Sequence, residues 1–279
     1  MDALVVVNKP KGITSRDVVN ELNNIFNTKK IGHTGTLDPL ATGVLVCLIG
    51  KYTKLVNLIT SYDKEYIAEI KLGIKTDTED ITGNILEETN SKVTLEQIKD
   101  VFLHFPKIYN QQVPSYSAVK INGKKLYVYA REKIDITLPT RNVNIYSLEL
   151  LSFKDNIITF KTKVSKGTYI RSLIQDICNN LNTIGTMNNL VRTKQGNFDI
   201  SDSYTLDDIK NNNYKLLNIK KFLDYPIINL DDTLIKKVSN GAIIPNTFNI
   251  QDKVIFTYNS KDIAIYEANN KELKPYIML

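Results

Sequence analysis

The feature of this chain most able to do chemistry is residues 32–43, GHTGTLDPLATG. Three glycines and a proline in twelve positions predict a shaped loop rather than regular structure. The glycines permit backbone conformations that let another molecule come close, and Asp38-Pro39 sets an acid on a rigid turn. A glycine-rich loop can also cradle phosphate. This one lacks the Gly/Lys/Ser-Thr pattern of a P-loop and carries an acid where that loop would exclude one. Most loop aspartates cap a turn or a helix, and from the residues alone that reading of Asp38 stands beside a catalytic one.

A second signal is charge. The formal net charge of +6 lies wholly in residues 1–225, because residues 226–279 balance six lysines against six acids. Within residues 107–141, Lys107, Lys120, Lys124, Lys125, Arg131, Lys133 and Arg141 face only Glu132 and Asp135, and Tyr109, Tyr116, Tyr127 and Tyr129 are interleaved. Cations among aromatics suit a surface that neutralises phosphates and stacks on bases; a solvated lysine-rich face has the same composition. Two histidines (His33 and His104) and two cysteines (Cys47 and Cys178) give no zinc-ligand spacing. The cysteines form no CxxC pair and read as reduced thiols of a cytosolic protein.

The elements that must hold these residues follow from local pattern. Ala3–Val7 predicts a buried strand, and Thr14 or Ser15 caps a helix to about Phe26 with Val18, Val19, Leu22, Ile25 and Phe26 on one stripe. Val44–Ile49 predicts a strand and Lys51–Ile59 a helix. Along 65–72, Tyr66, Ala68, Ile70 and Leu72 alternate with Glu65, Ile67, Glu69 and Lys71, the period of a half-buried strand. A polar loop at 75–83 leads to a short strand and a helix over Leu95–Leu103. Ser117–Ile121 predicts a strand, Asn122-Gly123 a tight turn, and 124–132 a helix. Residues 143–153 and 157–165 predict paired strands and 168–181 a helix. Strands mixed with helices in no strict βαβ order indicate an α+β fold with a mixed sheet. Near Tyr225-Pro226 the pattern turns to short strands, so a domain of residues 1–225 is expected to precede a β module of residues 226–279. At 42% hydrophobic and 24% charged residues the chain is expected to be globular, with no secretory leader and no run near the roughly 18 apolar residues of a membrane span.

GHTGTLDPLATGVL resembles the signature of the TruB-type tRNA pseudouridine synthases. Asn8-Lys9-Pro10-Lys11-Gly12, DKEYIAEIKLGIKTDTEDITG (63–83), VPSYSAVKINGKKLYVYARE (113–132), SKGTYIRSLIQDI (165–177) and LVRTKQGNF (190–198) follow in family order. The resemblance spans residues 3–200. It implies the pseudouridine synthase fold, an α+β domain on a central mixed, mostly antiparallel sheet, followed by a PUA-like RNA-binding module.

The resemblance also implies roles. Asp38 is the essential aspartate, acting as nucleophile, cation stabiliser or base towards the sugar. Arg171 pairs with it, and Tyr66 stacks on the target uracil. Tyr169 and Leu190 line the pocket, and His33 helps to extrude the nucleotide. Lys9, Lys11 and Lys120 contact phosphate or loop, with Lys9 alternatively bracing the catalytic loop. The implied substrate is the T-loop uridine, position 55 of tRNA, flipped out of its stack and gripped by an arm at 107–141. The implied enzyme needs no metal, organic cofactor or protein partner and works as a cytoplasmic monomer. The acidic run Asp77-Glu79-Asp80 is expected to be a surface loop or hydrogen-bonded turn rather than a metal site. Two other readings remain at this point: a tRNA-folding or RNA-binding protein, and a guide-dependent enzyme acting on ribosomal RNA.

Overall fold

A computed structural model of the chain describes all 279 residues apart from the side chain of Lys221. The first strand, β1 (Ala3–Lys9), is buried almost throughout. Thr14 then caps α1 (Ser15–Ile25) in a capping box with Asp17, which satisfies two otherwise orphaned N–H groups. Next come β2 (Ile31–His33) and β3 (Thr42–Ile49). A 3₁₀ turn over Gly50–Leu55 runs into α2 (Val56–Thr60), where the sequence predicts one continuous helix. On β4 (Lys64–Leu72) burial alternates strictly, with Tyr66, Ala68, Ile70 and Leu72 inward as the period of two requires.

A small two-stranded sheet of β5 (Ile74–Thr76) and β6 (Ile85–Glu88) precedes α3 (Leu95–His104). Then follow β7 (Ile108–Gln112), the hairpin β8 (Lys120–Ile121) and β9 (Lys124–Lys125), and α4 (Leu126–Arg131). Asn122 and Gly123 both take positive φ, the two-residue turn whose twist matches a hairpin. The long ribbon β10 (Thr140–Lys154) and β11 (Ile157–Val164) turns at Asp155-Asn156, again with two positive φ values. After α5 (Ile170–Asn180) come β12 (Gly185–Gln195) and β13 (Phe198–Asp199).

The main sheet runs β1-β3-β12-β4-β11-β10-β7, with β2 added on β3 and β13 on β12. Only β3 and β12 are parallel, so the fold is α+β on a mixed, mostly antiparallel sheet, as the resemblance implies. α3 and α5 cover the Tyr66 face of β4, burying Phe102, Leu173, Ile174 and Ile177 against Ile70 and Phe160. α1 covers β1 and β3 through Val18, Val19 and Leu22. Burial pushes the Cys47 and Cys178 thiols up to about 12, so neither is a nucleophile near neutrality.

A second sheet follows, built from β14 (Ile227–Asn229), β15 (Ile244–Pro245), β16 (Lys253–Tyr258), β17 (Lys261–Asn269) and β18 (Glu272–Met278), in the order β14-β16-β17-β18-β15. Its Ile255 and Ile265 pack with Tyr52, Leu55 and Phe222. Tyr52 also donates a hydrogen bond to Asp262, which is ion-paired with Lys220.

Two local expectations change. The ends of the 32–43 loop are strand: Gly32 and His33 finish β2, and Thr42 and Gly43 begin β3. The predicted strand at 117–121 shrinks to Lys120–Ile121, and the strand of this region is β7, whose polar sequence IYNQQ lies at the edge of the sheet and shows no apolar alternation. β12 has no clean period because it buries Arg192 and Gln195 along with Met187 and Leu190.

Candidate active site

Residues 34–41 connect β2 to β3, and their apolar side chains anchor them: Leu37, Leu40 and Ala41 are buried. Burying each leucine contributes about 1.5–3 kcal/mol. The loop's polar backbone is tied down residue by residue. Ser15 Oγ accepts the Leu37 N–H at 2.9 Å and donates to its carbonyl at 3.2 Å. Gly12 N–H donates to Pro39 O at 2.8 Å. Arg192 donates from Nη2 to Gly35 O at 3.1 Å and from Nε to Val44 O at 2.6 Å. Gln195 Nε2 reaches Thr34 O at 2.9 Å, and Ala41 N–H closes a turn onto Asp38 O. A loop held by strands on both sides cannot drift, which is what an acid needs in order to meet a reacting atom within a fraction of an ångström.

Lys9 belongs to this scaffold. Its side chain is wholly buried, and Nζ donates to Pro10 O at 2.8 Å, Ala41 O at 2.8 Å and Pro39 O at 3.3 Å. An ammonium has three N–H donors, so none is left for a phosphate. The substrate contact expected of Lys9 is therefore corrected to a brace of the loop. Burial lowers its pKa to about 8, partly offset by Asp38. Lys11 and Lys120 are both exposed.

Asp38 points out of the loop with its side chain 32% exposed, and the side chain facing it, Arg171, is 7% exposed. Arg171 lies in the first turn of α5, where the helix dipole disfavours a cation; the ion pair compensates. Nε meets Oδ2 at 2.9 Å and Nη2 meets Oδ1 at 3.2 Å, a bidentate charge-assisted fork. The rest of the guanidinium is fixed by Tyr116 O on Nη2 and Thr78 O on Nη1, each at 3.0 Å.

Thr78 is itself set by a turn. Asp80 Oδ1 accepts from the Thr82 N–H at 2.9 Å and from the hydroxyls of Thr82 and Thr78, while Asp77 accepts from Asn84. The acidic run is thus a hydrogen-bonded turn, with Asp80 buried rather than at the surface. Glu79 stands in it at φ 63, its carboxyl pushed up to about 7 by burial against the opposing pull of Arg171.

Tyr66 and Leu190 join Leu37 and Leu40 in one buried cluster. They lie diagonally on one face of neighbouring strands, where Ala68 pairs with Leu190 and Tyr66 with Arg192. Tyr169, two residues before Arg171, is half-buried with the Arg141 guanidinium 5.8 Å from its ring centre. His33 is half-buried at the end of β2, and its Nδ1 accepts the Gly35 N–H at 3.4 Å. Burial, with Arg192 and Arg16 nearby, lowers its pKa, so the ring is neutral near pH 7.

The structure therefore brings Asp38, Arg171, Tyr66 and Leu190 together around one loop, with Tyr169 and His33 on its flanks. The sequence reading passed over Arg192, Gln195 and Gln111, all buried polar side chains on strands. The only sequence signal of Arg192 and Gln195 is a long polar residue inside a motif segment, and Gln111 lies two residues before one.

Comparison with known proteins places the chain in a family. The model of the TruB family pseudouridylate synthase N-terminal domain matches residues 23–170. The tRNA pseudouridine synthase B of Caldanaerobacter subterraneus subsp. tengcongensis is 39% identical over 279 residues, covering 99% of this chain and 98% of that protein. The protein of the same name from Mesoplasma florum is 43% identical over 272 residues, covering 96% and 94%. Among solved structures, a chain in the crystal structure of a Cbf5-Nop10-Gar1 complex superposes with a TM-score of 0.75 at 24% identity, covering 99% of this chain and 84% of that one, a likeness of fold. On the strength of its family match and its full-length relatives, this chain belongs to the TruB family of pseudouridylate synthases.

Proposed function

We propose that this enzyme isomerises the T-loop uridine of tRNA, position 55, to pseudouridine, with Asp38 as the catalytic residue. The observation that carries the reading is the Asp38–Arg171 fork on a loop braced from β1, α1 and β12. The reaction breaks the C1′–N1 bond, turns the uracil, and joins C1′ to C5; C5 releases its proton and the freed N1 takes one up. A partly exposed carboxylate facing the sugar stabilises charge at C1′ or attacks there; no electrons are gained or lost, so the chemistry calls for no redox partner.

A base stacked in a folded loop must first be extruded, at a cost of a few kcal/mol. Tyr66 offers a face for the flipped uracil, with base–aromatic stacking worth about 1–3 kcal/mol. Tyr169 and Leu190 close the pocket, and His33, neutral and half-buried, serves as a wedge.

The arm at 107–141, with Lys124 over the Tyr129 ring and Lys125 and Arg131 against Tyr127, grips the T-stem backbone together with the exposed Lys11 and Lys120. Residues 1–225 form the catalytic domain and 226–279 a PUA-like RNA-binding module. The enzyme acts as a cytoplasmic monomer without guide RNA or protein partner. No helix is long and apolar enough to cross a membrane among the described residues.

The test is tritium release from a single C5-labelled tRNA transcript by the purified chain alone. Release that disappears when the T-loop uridine is replaced by cytidine supports substrate and site together. Release that requires added proteins or a guide RNA would move the enzyme to the guided class, and tRNA binding without release to the folding-factor class.

A further inference from the structure

Tyr169 stands at the N-cap of α5, and none of the side chains of its own helix caps that end. Its backbone N–H is instead taken by a residue from the far edge of the main sheet. Gln111 Oε1, on β7, accepts it at 2.8 Å. The other half of the same amide is also committed: Nε2 donates to the Tyr109 hydroxyl at 2.9 Å, which in turn donates to Asp176 Oδ2 at 2.7 Å. An amide N–H can only donate, so the Tyr169 bond fixes which end of the Gln111 amide is oxygen. That orientation makes the Tyr109 oxygen an acceptor and leaves its proton for the carboxylate. Donation therefore runs one way, from the N-cap N–H of α5 through Gln111 and Tyr109 on β7 to Asp176 in the second turn of α5, and Gln111 at its centre is 1% exposed.

The strand beside β7 completes the grip. Arg141 pairs with Gln111 across the ladder, and its guanidinium lies 5.8 Å from the Tyr169 ring centre. Two cross-strand neighbours thus hold one residue, Gln111 by its backbone and Arg141 by its ring. Other charged groups around the chain of bonds are Arg171 and Glu79, the latter coupled to Asp176, Asp38 and Asp80.

We propose that Gln111 is a positioning residue of the synthase: through the Tyr169 N–H and the Tyr109–Asp176 link it sets the N-terminal turn of α5, and with it both the Tyr169 ring and the Arg171 guanidinium that meets Asp38. The inference rests on the reading of Tyr169 and Arg171 as site residues. Gln111 touches neither substrate nor reacting atoms. Its buried amide serves an N–H that the helix leaves unpaired and aligns the start of the element that presents two functional side chains.

The experiment compares wild type, Gln111→Met, Gln111→Glu and Tyr109→Phe by C5 tritium release on one tRNA transcript, with kcat, KM and melting temperature read for each. Gln111→Met keeps the volume and leaves the Tyr169 N–H without its acceptor, so kcat is expected to fall about tenfold or more while KM for tRNA changes little. Gln111→Glu keeps the acceptor but sets two carboxylates against a hydroxyl with one proton. Its kcat should therefore rise relative to wild type as pH falls from 8 to 6 and the introduced acid takes up a proton. Tyr109→Phe should lower kcat by a smaller factor.

Wild-type kcat in Gln111→Met overturns the inference, and so does a Gln111→Glu ratio to wild type that is flat with pH. Should Gln111→Met not fold, the pH ratio of Gln111→Glu decides alone. An inactive wild type would overturn the proposed function instead, so the two failures are distinguishable.

Discussion

Arg171 and Asp38, 133 residues apart in the chain, meet through two hydrogen bonds of 2.9 and 3.2 Å, and the arginine's other contacts are main-chain carbonyls. A cation buried in this way is a fixed frame. Carbonyls of Thr78 and Tyr116 hold the guanidinium plane, and the plane holds the carboxylate.

Replacing that frame should cost more than the charge. In Arg171→Lys a point cation cannot make the fork or keep both carbonyl contacts. The expected result is a fall in kcat of about 10²-fold and a stability loss of about 1.5–3 kcal/mol, read by single-turnover tritium release and urea unfolding. Unchanged kcat would mean that only the positive charge matters.

Lys9 is a test of the brace. Lys9→Met removes three donors from buried carbonyls, and the stranded acceptors at Pro39 and Ala41 should cost about 1–3 kcal/mol each at most. The salt dependence of tRNA binding should stay as in wild type, because no phosphate contact is lost. A slope reduced by about one unit would return Lys9 to the phosphate-binding set.

Gly43 is fixed by a neighbour. It takes φ +98, and a Cβ there would sit 2.3 Å from Arg192 O on the adjoining parallel strand. Gly43→Ala should separate β3 from β12 at the root of the catalytic loop, lowering stability by about 1–3 kcal/mol from backbone strain alone, with the clash in addition. A melting temperature equal to that of wild type would contradict this packing.

Glu79 gives a pH signature. Its folded carboxyl is raised to about 7 from the ordinary 4.5, so the folded chain holds the proton more tightly than the unfolded one. Stability is lost as pH rises between those values and stays constant above them. Glu79→Gln should therefore match wild type near pH 4 and exceed it by about 1–3 kcal/mol at pH 8. A difference independent of pH would place the carboxylate in solvent.

Much of this site is legible before any coordinates because its chemistry is local in sequence. The glycines and Asp38-Pro39 mark a shaped loop, and the alternation around Tyr66 assigns its face. The partnership of Arg171 with Asp38 is invisible to spacing, since it joins a helix N-terminus to a loop through tertiary packing; only the family resemblance supplies it. Arg192, Gln195 and Gln111 are harder still. Their burial depends on carbonyls and an N–H that become available only once β3, β12 and α5 are assembled, and a polar residue on a strand carries no mark of that. Lys9 shows the converse: a lysine in a basic motif resembles a phosphate contact until its three donors are found spent on the loop.

The central claim is that Asp38 performs the chemistry and that tRNA is held elsewhere. Its most direct test measures tritium release and tRNA affinity together for wild type and Asp38→Asn, which keeps shape and removes the charge. The account predicts release only by wild type, with the two proteins binding tRNA within a few-fold of each other. Release by Asp38→Asn at the wild-type rate would contradict it.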